Sequence, residues 1–132
     1  MTKELFQKWI PINNLASAYD VESIICGEII SFTLVADKKR KPENHIHRFQ
    51  IVWNSSQIIS YHVTDETYRS DCWNLDFENC GRLFTSKNSE YIEKLKEKSP
   101  LFPDNVIHFS IVGTNTIVDV LAKEYPVVKV LE

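Results

Sequence analysis

A chain of 132 residues has the length of one domain and is expected to bury roughly two-thirds of the surface its unfolded form exposes. Its 43% hydrophobic and 25% charged residues, with a net charge of only −3, are the composition of a folded protein and exclude a disordered one. There is no run of about 20 apolar residues for a membrane-spanning helix, and a pI near 5.8 argues against a nucleic-acid binder.

The opening Met1-Thr-Lys-Glu-Leu-Phe-Gln-Lys-Trp has acidic and amide residues where a secretion signal needs an apolar stretch, so a cytoplasmic location is expected. Leu5, Phe6, Trp9 and Ile10 recur at helical spacing before Pro11, which predicts a short N-terminal helix or an irregular segment. From Ser23 the period shortens to two. Ile30, Phe32 and Leu34 share one face of a strand within Cys26–Ala36, with Ser31 and Thr33 opposite. The basic run Lys38-Lys-Arg-Lys41, set among Asp37, Pro42, Glu43 and Asn44, reads as a solvated loop.

Phe49, Ile51 and Trp53 define a second strand in His45–Trp53. Ile59, Tyr61 and Val63 define a third in Gln57–Thr64, with Ser60, His62 and Thr64 on its other face. Asn54-Ser-Ser56 between them predicts a tight turn and an antiparallel hairpin. After an irregular stretch to Gly81 comes a short strand, Arg82–Thr85. The clearest helix is 88–98, capped by Asn88 or Ser89, with Tyr91, Ile92 and Leu95 on one stripe and Glu90 and Lys94 one turn apart on the wet side. Asn105–Val112 then alternates, Ile107, Phe109 and Ile111 inward and His108 and Ser110 outward, and Asn115–Leu121 and Val127–Leu131 are two more strands. Six to eight mainly antiparallel strands with one clear helix make an α+β fold, a single domain over 1–132. Parallel architecture needs repeated crossover helices, which are missing.

No catalytic motif emerges. The three glycines form no phosphate cradle. Cys26, Cys72 and Cys80 fit neither a CxxC pair nor a zinc ribbon and read as reduced thiols. His45-Ile-His47 has strand spacing for two metal ligands but lacks a third, so no metal and no cofactor is expected. A Cys72 or Cys80 thiolate with His62 or His108 would need hydrogen-bond reach and an orienting group, which no spacing supplies. Both histidines read as surface imidazoles. Among the carboxylates Asp65, Glu66, Asp76, Glu78, Asp104 and Asp119, none forms a recognisable acid/base pair, and Asp119, between Val118 and Val120, reads as solvent-facing or as a turn cap.

The segment from Asp65 to Glu78 is the most unusual. It holds five acids, Arg69, and the aromatics Tyr68, Trp73 and Phe77. Acids around aromatic anchors suit an interface with a basic protein partner, with Asp65, Glu66, Tyr68, Asp71, Trp73, Asp76 and Glu78 as the contact residues. The competing reading places the aromatics in the core and the acids on loops.

Four pieces of the chain carry a resemblance: Ile59-Ser-Tyr-His-Val-Thr-Asp-Glu66, Asn88-Ser-Glu-Tyr-Ile-Glu-Lys-Leu-Lys, Val106-Ile-His-Phe-Ser-Ile-Val and Asn115-Thr-Ile-Val-Asp-Val-Leu. In these the chain resembles a group of small uncharacterised proteins of Gram-positive bacteria that are similar to immunity proteins encoded beside polymorphic or contact-dependent toxins. The resemblance implies a non-catalytic cytosolic protein that binds and neutralises a toxin. It carries over no catalytic residue. The alternative is a small-ligand binder or enzyme with a cleft between sheet and helix, for which Trp9, Trp53, Tyr61 and His108 are the candidate lining. A monomer is expected, or a homodimer formed by exposed strand edges.

Overall fold

Two antiparallel sheets pack face to face in a computed structural model that describes residues 5–36, 45–72 and 81–131. The strands are β1 (Gln7–Lys8), β2 (Tyr19–Ile25), β3 (Ile29–Ala36), β4 (Arg48–Asn54), β5 (Ile58–Asp65), β6 (Leu83–Ser86), β7 (Ile107–Val112), β8 (Thr116–Ala122) and β9 (Val127–Val130). One sheet runs β1-β6-β7-β8-β5 and the other β2-β3-β4-β9. The single helix among the described residues, α1 (Glu90–Lys98), joins β6 to β7. The α+β class stands, but the described residues hold nine strands in two sheets where six to eight strands were expected.

Period-two alternation builds the core. Phe32 and Leu34 of β3 and Phe49, Ile51 and Trp53 of β4 face Phe109 and Ile111 of β7 and Val118 and Val120 of β8, all buried in one cluster. Trp53 meets Phe109 edge to face across the two sheets, with ring centroids 5.0 Å apart, and donates its indole N–H to the Glu124 carbonyl at 2.9 Å. Each such fully buried side chain contributes about 1.5–3 kcal/mol. Of the residues expected to line a cleft with His108, Trp53 is buried in this core, and Trp9 and Tyr61, half-buried, pack against it.

Two local expectations are corrected. The N-terminal segment forms the short strand β1, paired with β6, rather than a helix. Trp9 packs into the core between the sheets while Phe6 packs on the opposite side of its sheet and Leu5 and Ile10 stay exposed, so the apolar residues share no helical face. Strands β4 and β5 are not a hairpin. They belong to different sheets, β4 pairing with β3 and β9 and β5 with β8. A 3-10 turn at Ser55–Gln57 carries the chain across, tied by Gln57 Oε1 to the Asn54 N–H at 3.2 Å and by the Gln57 carbonyl to the Lys123 N–H at 2.8 Å. A register shift between Ile58 and Ser60 then puts Ile58 in the core and Ile59 on the helix side, away from Tyr61. Strand β2 was not foreseen; it begins at Tyr19, whose buried hydroxyl accepts from the Ala16 N–H and donates to the Ile46 carbonyl.

The feature that positions the site is the hairpin of β7 and β8. Its turn needs Gly113, where a Cβ would sit 2.6 Å from the Thr116 carbonyl oxygen. The turn fixes the register that sets Ser110 opposite Asp119, and β8 in turn sets Asp119 opposite His62. A slip of one residue would move this whole row to the other face.

Candidate functional site

The outer face of the five-stranded sheet is covered in two places. On one side α1 lays Ile92, with Tyr91 and Leu95, over Leu121 and Val106. Ser89 caps this helix, accepting from the Ile92 N–H at 3.2 Å, and Glu90 and Glu93 favour its positive end. On the other side the turn of Glu66–Tyr68 and Ser70–Cys72 brings Cys72 onto Phe84, Val112 and Ile117. Between the two apolar patches runs a polar strip centred on Asp119.

Asp119 is 1% exposed. Its Oδ1 accepts from His108 Nε2 at 2.6 Å, and its Oδ2 accepts from His62 Nε2 at 3.2 Å and from Arg69 Nη1. An ionised carboxylate only accepts, so both histidines donate through Nε2. Burial by itself pushes the Asp119 carboxyl up. Hydrogen bonds from His108 and His62, with the charges of His108 and Arg69, outweigh that and hold it well below the usual carboxylate range. Tyr91 stands between the imidazoles, its ring centroid 4.5 Å from that of His62 and 5.5 Å from that of His108, and shares a 2.5 Å hydrogen bond with Ser60. Burial raises the Tyr91 phenol, partly offset by that bond, and the charge of Asp119 adds to the rise.

These groups open onto a hollow of about 360 Å³ lined by His62, Arg69, Glu90, Tyr91, Lys94, His108 and Asp119. His62 is half-exposed at its rim and His108, at 3% exposure, is closed in by Tyr91 and Phe6. Two readings of the sequence are corrected here: Asp119 is not solvent-facing and His108 is not a surface imidazole, whereas His62 stays half-exposed. The two histidines and Asp119 do come together in a cleft between sheet and helix. Asp119 orients two imidazoles and an arginine, and Ser110, whose buried hydroxyl has no partner among the described residues, lies opposite it in the register of β7 and β8. The hydroxyl of Ser60 is taken by Tyr91, and Cys72 Sγ lies 3.6 Å from Arg69 Nη2.

Among the described residues no group of three His, Cys, Asp or Glu side chains is arranged to hold a metal ion. Asp119 already carries the Arg69 guanidinium where a cation would sit. His45 and His47 do not share a strand: Ile46 between them makes an isolated bridge to Leu15, and β4 begins only at Arg48. Neither Cys26, exposed, nor Cys72, buried, is in a disulfide.

The expected interface residues divide. Asp65 and Glu66 lie at the end of β5 and the start of the turn, and Tyr68 stands 79% exposed. Asp71 belongs to the Ser70–Cys72 turn, whereas Trp73, Asp76, Glu78 and Cys80 lie outside the described residues, as does the basic run at 38–41. Sequence reasoning missed Arg69 as the link between this segment and Asp119. No described helix is long and apolar enough to cross a membrane. Compared with known proteins, the chain matches no family model, no curated protein and no solved structure.

Proposed function

We propose that the chain is a non-catalytic cytoplasmic binding protein of the immunity type, which neutralises a partner toxin by docking the segment around Tyr68 on it. The observation that carries this reading is Tyr68 itself, a large aromatic side chain held in solvent on a fastened turn. Asp65 Oδ1 accepts from the Thr67 N–H at 2.9 Å, and the Glu66 N–H donates to the Asn115 carbonyl at 3.1 Å. Arg69, the next residue, is tied to Asp119 beneath. An aromatic presented on a pre-ordered turn loses little entropy on binding, which is what makes an anchor effective. The hydrogen bonds to Thr67 hold the Asp65 carboxyl below its ordinary value. Asp65 and Glu66 therefore give the rim a negative charge that would steer a basic partner. The protein acts as a monomer or a homodimer and needs no cofactor in this role.

The test is calorimetric titration of the chain with the toxin domain encoded by the neighbouring gene. Tyr68→Ala should weaken binding by about 30-fold or more, the loss of a hot-spot side chain of about 2 kcal/mol, and Gln50→Ala on the other sheet should leave it unchanged. No binding to that domain, or binding indifferent to Tyr68→Ala, overturns the reading.

A further inference from the structure

Partner docking through Tyr68 leaves the strand edge beside it unexplained. We propose that β5 pairs with β5 of a second copy, antiparallel about Val63, so that the five-stranded sheet continues through a homodimer. The inference is independent of the toxin. Three features point there.

First, β5 is an edge with bonding groups turned outward. Among the described residues it pairs with β8 alone and ends its sheet. The Glu66 N–H donates to the Asn115 carbonyl, and alternate residues of an antiparallel strand bond to the same neighbour, so Thr64 and His62 serve β8. The peptide groups of Tyr61 and Val63 and the N–H of Asp65 therefore face away from it. Second, the other edges are blunted and this one is not. Strand β1 is two residues long, β2 carries Asp20, Glu22 and a register shift between Val21 and Ser23, and β9 follows Pro126 and carries Lys129. Shortness, charge, irregularity and proline are the means by which sheets avoid pairing edge to edge. Beyond the shift between Ile58 and Ser60, the stretch Ser60–Thr64 has none of them, and Val63 stands 48% exposed. Third, the edge is complementary to itself. With Val63 set against Val63 of the second copy, the outward peptide groups meet in bonding phase. His62 then lies opposite Thr64 and Tyr61 opposite Asp65, so no like charges are opposed. A slip that set His62 against His62 would oppose two imidazoles.

The experiment is sedimentation velocity of the full chain from micromolar to millimolar concentration, with amide exchange followed at both ends of that range. The expected result is a monomer–dimer equilibrium in which the Val63 and Asp65 amides become protected as the dimer forms, while the His62 and Thr64 amides are protected throughout. Val63→Pro removes an outward N–H and spares the ladder to β8, and Val63→Lys sets like charges against each other at the two-fold axis. Each should weaken dimerisation by about tenfold or more. Val63→Thr, which keeps a neutral β-branched side chain, should retain it. A monomer at every concentration, a dimer whose Val63 amide exchanges as fast as the monomer's, or an undiminished dimer in Val63→Lys overturns the proposal. So does protection of the Val63 amide that appears only when the toxin domain is added, which gives the edge to a strand of that partner.

Discussion

The outer faces of the two sheets have the same sequence signature and different fates. On the four-stranded sheet, Ser31, Thr33, Gln50 and Lys129 alternate with core residues, and Gln50 Nε2 donates to Thr33 Oγ1 at 3.2 Å beside a partly exposed Arg48–Glu22 ion pair. On the five-stranded sheet, His62, His108, Ser110 and Asp119 alternate with core residues in the same way, but α1 and the turn at 66–72 lie over them. Both faces bury polar atoms, Ser31 and Thr33 on one and His108, Ser110 and Asp119 on the other, but only the second buries a charge, which its neighbours must serve. That is why a carboxylate, two imidazoles and a guanidinium converge there. The cover follows from chain order: α1 lies between β6 and β7 and the 3-10 turns follow β5, all strands of this sheet.

The comparison is broken most severely at Asp119. Asp119→Ala leaves Arg69 and a buried His108 without their acceptor, and urea denaturation should show a loss of about 3–5 kcal/mol. Acid should reach the same group more gently. The folded carboxyl is held below its ordinary value while the unfolded chain takes up its proton near pH 4, so the stabilisation is present above about pH 4 and fades as pH falls toward the folded value. Comparing urea midpoints at neutral and acid pH should show a shallower acid loss in Asp119→Asn than in the wild type. Ser89→Ala, which removes the cap of the covering helix, should cost about 1 kcal/mol by the same assay. Gln50→Ala on the four-stranded sheet, where only a neutral hydrogen bond to Thr33 is lost, should stay within about 0.5 kcal/mol. A loss at Gln50 as large as that at Asp119 would erase the distinction between the faces.

Much of the fold is legible in the chain because it depends on local alternation. The inward residues Phe32, Leu34, Phe49, Ile51, Trp53, Phe109 and Ile111 and the stripe on α1 follow from periods of two and 3.6. Sheet membership does not. Asn54-Ser-Ser56 reads as a hairpin turn by its residues, yet β4 and β5 belong to different sheets, with Trp53 buried in the core and Tyr61 packed against it. Half of the site was within reach. A short turn through Gly113 sets Ser110 opposite Asp119 and leaves His108 diagonal to it, inside the range of a long side chain. Arg69 was not, since it comes from an irregular turn 50 residues away whose path no periodicity encodes.

Hydrogen exchange at the 66–72 turn measures most directly whether Asp119 fastens it. The Arg69 and Cys72 amides, bonded to the Glu66 and Arg69 carbonyls at 3.1 and 3.0 Å, should be protected in the wild type. In Arg69→Ala they should exchange rapidly while the amides of β3 and β4 keep their protection. If the turn is protected equally with and without the Arg69 guanidinium, it is held by other means and the fastening of Tyr68 through Asp119 is wrong.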